Sequence, residues 1–289
     1  MNIGQLLTYI NARHATAFEL VGRLPGGHQD GAYTLAEPGG RRAVLKQLFA
    51  DRALPIMRRL RAIGYPTPDV LYTGTADDGT AYLVQEFVPG APMQNLTEAY
   101  LDQLFALNDR QADLNPHPEA SALESWSGYV QEVVFARSSV WVRALRSHSP
   151  ASASLLSALQ QATQPYAATV LANSDVVHGD LHNGNILVEH GQITGVIDMV
   201  YAGYGTRAID LATLLHTIDS DDYAPIIRQR LRAHVIERFG PAVYAICMAY
   251  RAIVTLEWAI RHDRPDLIDY FIRAGWATCA DLQGLRTED

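Results

Sequence analysis

The sequence predicts an α+β protein in two lobes: a small antiparallel β-sheet with one helix, then a larger and mostly helical lobe. Three observations predict it. The first 90 or so residues hold five short runs that alternate or are rich in β-branched residues, with turn residues between them. One segment with helical apolar spacing separates the third run from the fourth. Beyond Pro89-Gly90-Ala91-Pro92 the sequence turns helical.

The elements follow in order. MNIGQLLTYINARH reads as a short amphipathic helix; it has no basic start and no long apolar stretch, unlike a signal peptide, so the cytoplasm is the expected compartment. Strands are expected at 17–24, 31–36, 42–48, 69–74 and 81–88. Pro25-Gly26-Gly27, Pro38-Gly39-Gly40 and Asp77-Asp78-Gly79 supply turns. A helix at 52–63 places Ile56, Met57, Leu60 and Ile63 on one face, and Gly64 and Pro66 stop it. A hinge at about 85–92 separates an N-terminal lobe, 1–88, from a C-terminal lobe, 89–289. Helices follow at 97–113, 122–146 and 152–171, then a polar segment at 175–205. The last helices are expected at 207–217, 222–238, 241–262 and 265–282.

Composition bounds the function. A hydrophobic fraction of 48% and a charged fraction of 19% over 289 residues are those of a globular chain with a real core. No apolar run approaches the roughly 20 residues of a membrane helix, so no membrane partner is expected. A net charge of −8 argues against a nucleic-acid partner and is compatible with a cationic one. Cys247 and Cys279 read as two buried thiols, and Trp126, Trp141 and Trp276 as core aromatics. Of the 23 Lys+Arg residues, one alone is lysine: Lys46, in AVLKQLF. Nothing in the sequence selects an oligomeric state.

The densest chemistry lies in VVHGDLHNGNILVEHGQITGVIDMV, residues 176–200. His178, Asp180, His182 and Asn185 form an H-G-D-x-H-x-x-N pattern, and Asp198 follows thirteen residues after Asn185. The stretch resembles the catalytic core of aminoglycoside phosphotransferases and related small-molecule kinases, distant relatives of protein kinases. The resemblance implies a two-lobed protein-kinase-like fold and transfer of a phosphoryl group. It implies that Asp180 is the catalytic carboxylate, accepting the proton of an acceptor hydroxyl. Asn185 and Asp198 would hold Mg²⁺, a hard ion that takes oxygen ligands and neutralises phosphate charge. His178 and His182 would support the loop. Asp210, in GYGTRAIDLATL, would buttress it from a helix start.

In the N-terminal lobe, Lys46 matches the family's phosphate-binding lysine, a compact point charge that arginine does not copy. LPGGHQDGAY resembles the loop that covers the nucleotide, with Gly26, Gly27 and Gly31 allowing close backbone approach. Glu86 and Val88 lie where main-chain groups would meet adenine. ATP is the expected nucleotide, with GTP an alternative. One departure stands out. The family's helix after the lysine strand carries a glutamate that pairs with the lysine, and 52–63 has no acid. Asp51 is the nearest one.

The acceptor side is less marked. Glu257, Trp258, Asp263 and Asp266 in TLEWAIRHDRPD, and Asp219, Asp221 and Asp222 in the DSDD turn, are candidates to bind it. Each acid also reads as a solvated surface group, and Asp221 and Asp222 as the start of the helix at 222–238. The expected activity is ATP-dependent phosphorylation of a hydroxyl on a small polar, amine-bearing acceptor such as an aminoglycoside antibiotic. Homoserine, choline or ethanolamine, an aminosugar and a macrolide are alternatives, as is a nucleotide-binding pseudokinase. Met199-Val200 in place of Phe-Gly, and H-G-D in place of H-R-D, set a protein kinase aside.

Overall fold

A computed structural model describes residues 1–24, 31–47, 52–119, 125–136, 138–217 and 221–285. The chain forms two compact units, Met1–Met93 with Gly184–Ala202, and Gln94–Asn183 with Gly203–Asp289. The cut expected at residue 88 is single, whereas the packing returns 184–202 to the first unit.

In the first unit, helix α1 (Ile3–His14) starts at a reciprocal cap between Asn2 and Gln5. Its Leu6, Leu7 and Ile10 share a core with Phe18, Leu35, Ala43, Leu45, Tyr82 and Val84. These residues lie on or beside an antiparallel sheet of β1 (Glu19–Arg23), β2 (Ala32–Ala36), β3 (Arg42–Lys46), β4 (Val70–Thr75) and β5 (Ala81–Glu86), in the order β1-β2-β3-β5-β4. Side chains alternate across a strand. Ala43 and Leu45 face the α1 core, so Val44 and Lys46 face the other way. Tyr82 and Val84 likewise turn Leu83 and Gln85 to the side of Lys46. Helix α2 (Ala53–Ala62) buries Ala53, Ile56, Met57 and Leu60. Ile63, expected on that apolar face, ends the helix and is exposed. The Pro89–Pro92 break contains a short strand, β6 (Ala91–Pro92), which pairs with β8 (Ile186–Glu189); β8 pairs in turn with β9 (Gln192–Val196).

The second unit is helical apart from β7 (Asp175–Val177), paired with β10 (Gly203–Gly205). Its helices are α3 (Glu98–Arg110), α4 (Trp126–Phe135), α5 (Val140–His148), α6 (Pro150–Thr163), α7 (Ala208–Leu215), α8 (Pro225–Phe239), α9 (Pro241–Arg261) and α10 (Pro265–Leu285). Three expectations are corrected. The helix at 122–146 is two helices, because Ala136 is extended and the Ser139 side chain caps α5 through the Val142 amide. The helix at 152–171 stops at Thr163, where a 3-10 turn containing Pro165 follows. Asp221 and Asp222 do not start α8; Ala224 and Pro225 do.

Helix α9 packs against α4, α5, α6, α7, α8 and α10. It is buried around most of its circumference because it is surrounded, and Arg251 and Glu257 are its buried charged residues. The sequence predicts no run of this kind, yet α9 is long and apolar enough to match a membrane span, with 72% of that window buried inside the protein. Cys247 and Cys279 are buried free thiols. Trp126 and Trp141 are half-buried, whereas Trp276 is 44% exposed and is not a core residue.

Candidate active site

Lys46 ends β3 on the face opposite the α1 core, and its Nζ donates to Asp198 Oδ1 at 2.9 Å. Asp198 follows β9 in the left-handed region, at φ 64°, a backbone choice that costs free energy in a non-glycine residue. Asn185 closes the Asn183–Asn185 turn. Its carbonyl accepts from the Ile197 amide at 2.9 Å, which sets Asn185 beside the chain entering Asp198. An amide oxygen and a carboxylate thus lie on neighbouring backbones. Such a pair fits Mg²⁺, which takes one or two protein oxygens and fills its octahedron with phosphate and water. Lys46, Asp198, Leu83, Gln85 and Met57 line one cavity.

Helix α2 carries no acid, and among the described residues Asp198 is the carboxylate that Lys46 meets. Asp51 lies outside the described residues, as do Gly26 and Gly27. The helix is tied down differently. Arg61 Nη2 donates to Glu86 Oε2 at 3.0 Å, and Arg61 Nε lies 3.3 Å from Asp69 Oδ1. The Glu86 amide donates to the Asp69 carbonyl at 2.8 Å. Val88 packs against Gly195 of β9. Gly31 has φ 63°, and a Cβ there would meet Arg23 Nε at 2.5 Å.

In the second unit, a buried carboxylate organises the loop that carries Asp180. Asp210 enters from the first turn of α7. It accepts from the amides of His178 at 2.8 Å and Gly179 at 3.0 Å, and from Gln111 Nε2 at 2.8 Å. Burial pushes its carboxyl up, and the nearby His178 and these N–H donors oppose the rise. His178 is fully buried, and its Nδ1 accepts from the Asp180 amide at 3.2 Å. Gly179 sits at φ 85° with the Trp126 ring where a side chain would be. The Asp180 side chain is 39% exposed, and His182 Nε2 lies 3.8 Å from its Oδ2, beyond hydrogen-bond range. The Tyr223 hydroxyl donates to Asn183 Oδ1 at 2.8 Å.

The acceptor candidates are scattered. Glu257 is buried, and Arg261 Nε stands 3.2 Å from its Oε1. Burial pushes its carboxyl up. Trp258 stacks on His262 at 4.6 Å. Asp221, Asp222 and Asp263 are exposed; Asp221 lies 3.6 Å from Arg228. Asp266 pairs with Arg264 at 2.8 Å. Asp219 lies outside the described residues.

The sequence pattern of the phosphotransferase enzyme family matches residues 18–247. The chain belongs to that family. No curated protein sequence matches it. Among solved structures, the phosphotransferase is similar to the aminoglycoside phosphotransferase APH(4)-Ia in its ternary complex with ADP and hygromycin B. The identity is 15%, over 94% of this chain and 97% of that one, with a TM-score of 0.74. The GDP complex of aminoglycoside 2'-phosphotransferase-IIIa matches at 15% identity over 97% and 99%, TM-score 0.68. An aminoglycoside-3'-phosphotransferase of type VIII matches at 24% over 87% and 98%, TM-score 0.56. At these identities the structures show the fold: the kinase-like arrangement of an antiparallel-sheet lobe and a helical lobe.

Three residues that hold the phosphotransferase's loop carry no sequence signal. Gln111 reaches Asp210 across 99 positions and Tyr223 reaches Asn183 across 40. Trp126 fills the space over Gly179, Gly203 and Gly205. The one hint is that Gly203 and Gly205 stand two apart on β10, which leaves one face of that strand bare for something large to lie against.

Proposed function

We propose that this phosphotransferase moves the γ-phosphoryl group of ATP, or of GTP, to a hydroxyl of a small, polar, amine-bearing acceptor. Aminoglycosides and other aminosugars come first. The observation that carries the reading is Asp180: a half-exposed carboxylate on a loop whose backbone is fixed by the fully buried Asp210. Asp180 accepts the proton of the acceptor hydroxyl as the new phosphate ester forms. Lys46 draws the nucleotide's phosphates, and its contact with Asp198 keeps the ammonium extended on the cavity side of β3. Asn185 and Asp198 would hold Mg²⁺, which neutralises charge on the phosphate oxygens when bound. Main chain at Glu86–Val88 and the glycines 26, 27 and 31 complete the nucleotide site. Relatives of the same fold bind ADP with hygromycin B, or GDP, which supports a nucleotide and a small-molecule acceptor without choosing between ATP and GTP.

Acceptor-dependent ADP release, measured with Mg²⁺ and each nucleotide against aminoglycosides, aminosugars, homoserine, choline and a macrolide, tests the proposal. Asp180→Asn should lower kcat by about 10²–10⁴-fold and leave nucleotide affinity intact by calorimetry. Turnover near that of the unaltered protein would remove Asp180 from this role.

A further inference from the structure

Lys46 and Asp198 meet in one cavity of the first unit, Nζ to Oδ1 at 2.9 Å. The other residues lining it, Ala53, Met57, Leu83, Gln85, Met199 and Val200, carry no charge. Helix α2 thus enters the cavity through Ala53 and Met57 and offers the ammonium no acid. Nor does α2 need Lys46 to hold it, because its far end is tied elsewhere. Arg61 donates to Glu86 Oε2 at 3.0 Å and to the Thr67 carbonyl at 3.3 Å, and stands 3.3 Å from Asp69 Oδ1.

The two partners differ in freedom. Asp198 is anchored by its backbone, held in the left-handed region between β9 and the Met199–Tyr201 turn. Lys46 reaches it on a flexible four-carbon stem, so the ammonium is the partner that moves. The Asp198 side chain is 44% exposed and that of Lys46 16%. A metal ion coming from solvent can therefore reach the carboxylate, but it meets the ammonium already bonded there. Two cations on one carboxylate stand a few ångströms apart, and their repulsion grows as water is excluded.

We propose that Lys46 bars a free divalent cation from Asp198, and that the nucleotide's phosphates lift the bar by drawing the ammonium away, so that metal enters only with nucleotide. Phosphate oxygens offer the ammonium several negative charges in place of one. The metal then meets a released carboxylate with phosphate oxygens beside it, the ligand set Mg²⁺ favours. An acid on α2 would have drawn the ammonium off Asp198; without one, a single carboxylate serves both cations in turn. The proposal rests on the reading that Asp198 holds the metal and Lys46 the phosphates.

Mn²⁺, which takes the same oxygen ligands as Mg²⁺, is the probe, with binding to the nucleotide-free protein followed by electron paramagnetic resonance. Lys46→Met should bind Mn²⁺ at least about tenfold more tightly than the unaltered protein. Lys46→Arg, which keeps the charge, should stay weak. The lone lysine supplies a second readout: in protein grown on isotope-labelled lysine, one side-chain NMR signal reports Lys46. That signal should hold through millimolar Mg²⁺ and move when ADP is added. Melting curves check that the variants fold; if Lys46→Met does not, Lys46→Gln takes its place. Mn²⁺ affinity no higher in Lys46→Met, an equal tightening in Lys46→Arg, or a lysine signal that shifts with Mg²⁺ alone would overturn the bar. Asp198→Asn with ADP present separates the bar from the metal reading beneath it. Mn²⁺ retained there would remove Asp198 as a metal ligand and the bar with it. Mn²⁺ lost there, with no effect of Lys46→Met, would sink the bar and leave the metal reading standing.

Discussion

Gly179 and Trp126 show how one residue without a side chain sets a reactive one. Asp180 is presented by a backbone that turns through φ 85° immediately before it, with an indole ring packed where a Cβ would lie. An alanine at 179 meets two costs, a left-handed backbone of about 1–2 kcal/mol and a clash of similar size. Gly179→Ala should therefore lose roughly 2–4 kcal/mol of stability in urea unfolding, and turnover with it. Adding Trp126→Leu removes the clash but not the backbone cost, so the double variant should recover part of the loss. Additive losses would mean that the ring does not press on the loop. Asp198 makes the same use of a left-handed backbone without being glycine, with its carboxylate held by Lys46.

Between elements, the joint that matters is α7 with the Asp180 loop and α3. Asp210 joins them through two backbone amides and one side-chain amide, all buried. Asp210→Ala would orphan three donors at about 1–3 kcal/mol each, so a loss of at least roughly 3 kcal/mol is expected. Hydrogen exchange at the His178 and Gly179 amides should quicken in step; unchanged protection there would contradict the joint. Local pattern made much of this element scale legible. Alternation in AVLKQLF and AYLVQEFV placed β3 and β5 to within two residues and set Lys46 apart from the α1 core. The H-G-D-x-H-x-x-N spacing marked the loop. What local pattern missed depends on partners distant in sequence or on serine side chains that compete with the helix. The stretch 122–146 is apolar enough for one helix, but Ser139 starts a second. Ile63 fits the helical face and yet lies past the last turn. Trp276 looks like core because tryptophan is large and apolar, and only the packing of α10 shows it turned outward. Gln111 and Tyr223 touch the loop only once the chain has folded.

Across the whole molecule, the helical unit is built around α9, and its buried polar groups set how the protein meets acid. His216, at the end of α7, stacks on Phe271 and meets Thr278 of α10. Burial, helped by the Arg251 charge, holds its imidazole down to about 3, against an ordinary value of 6.5. Burial lowers His234 as well. A histidine that is harder to protonate folded than unfolded leaves the unfolded chain with more protons between those two values. Stability is then full above about pH 6.5 and falls with pH toward 3, by up to about 1.4 kcal/mol per pH unit from His216. His216→Gln should flatten the fall seen in urea midpoints between pH 6.5 and 4.5, and an unchanged slope would assign the acid sensitivity elsewhere. A second whole-chain property reaches further. With a single lysine among 289 residues, the chain offers an acylating reagent only two amines, Lys46 and the amino terminus. The terminus is tied to Asp78 at 2.6 Å and Lys46 to Asp198 at 2.9 Å. Covalent tagging of this sequence is thus confined to two places without any engineering, and the tag carried by the peptide that contains Lys46 reads out whether the cavity beside β3 is filled.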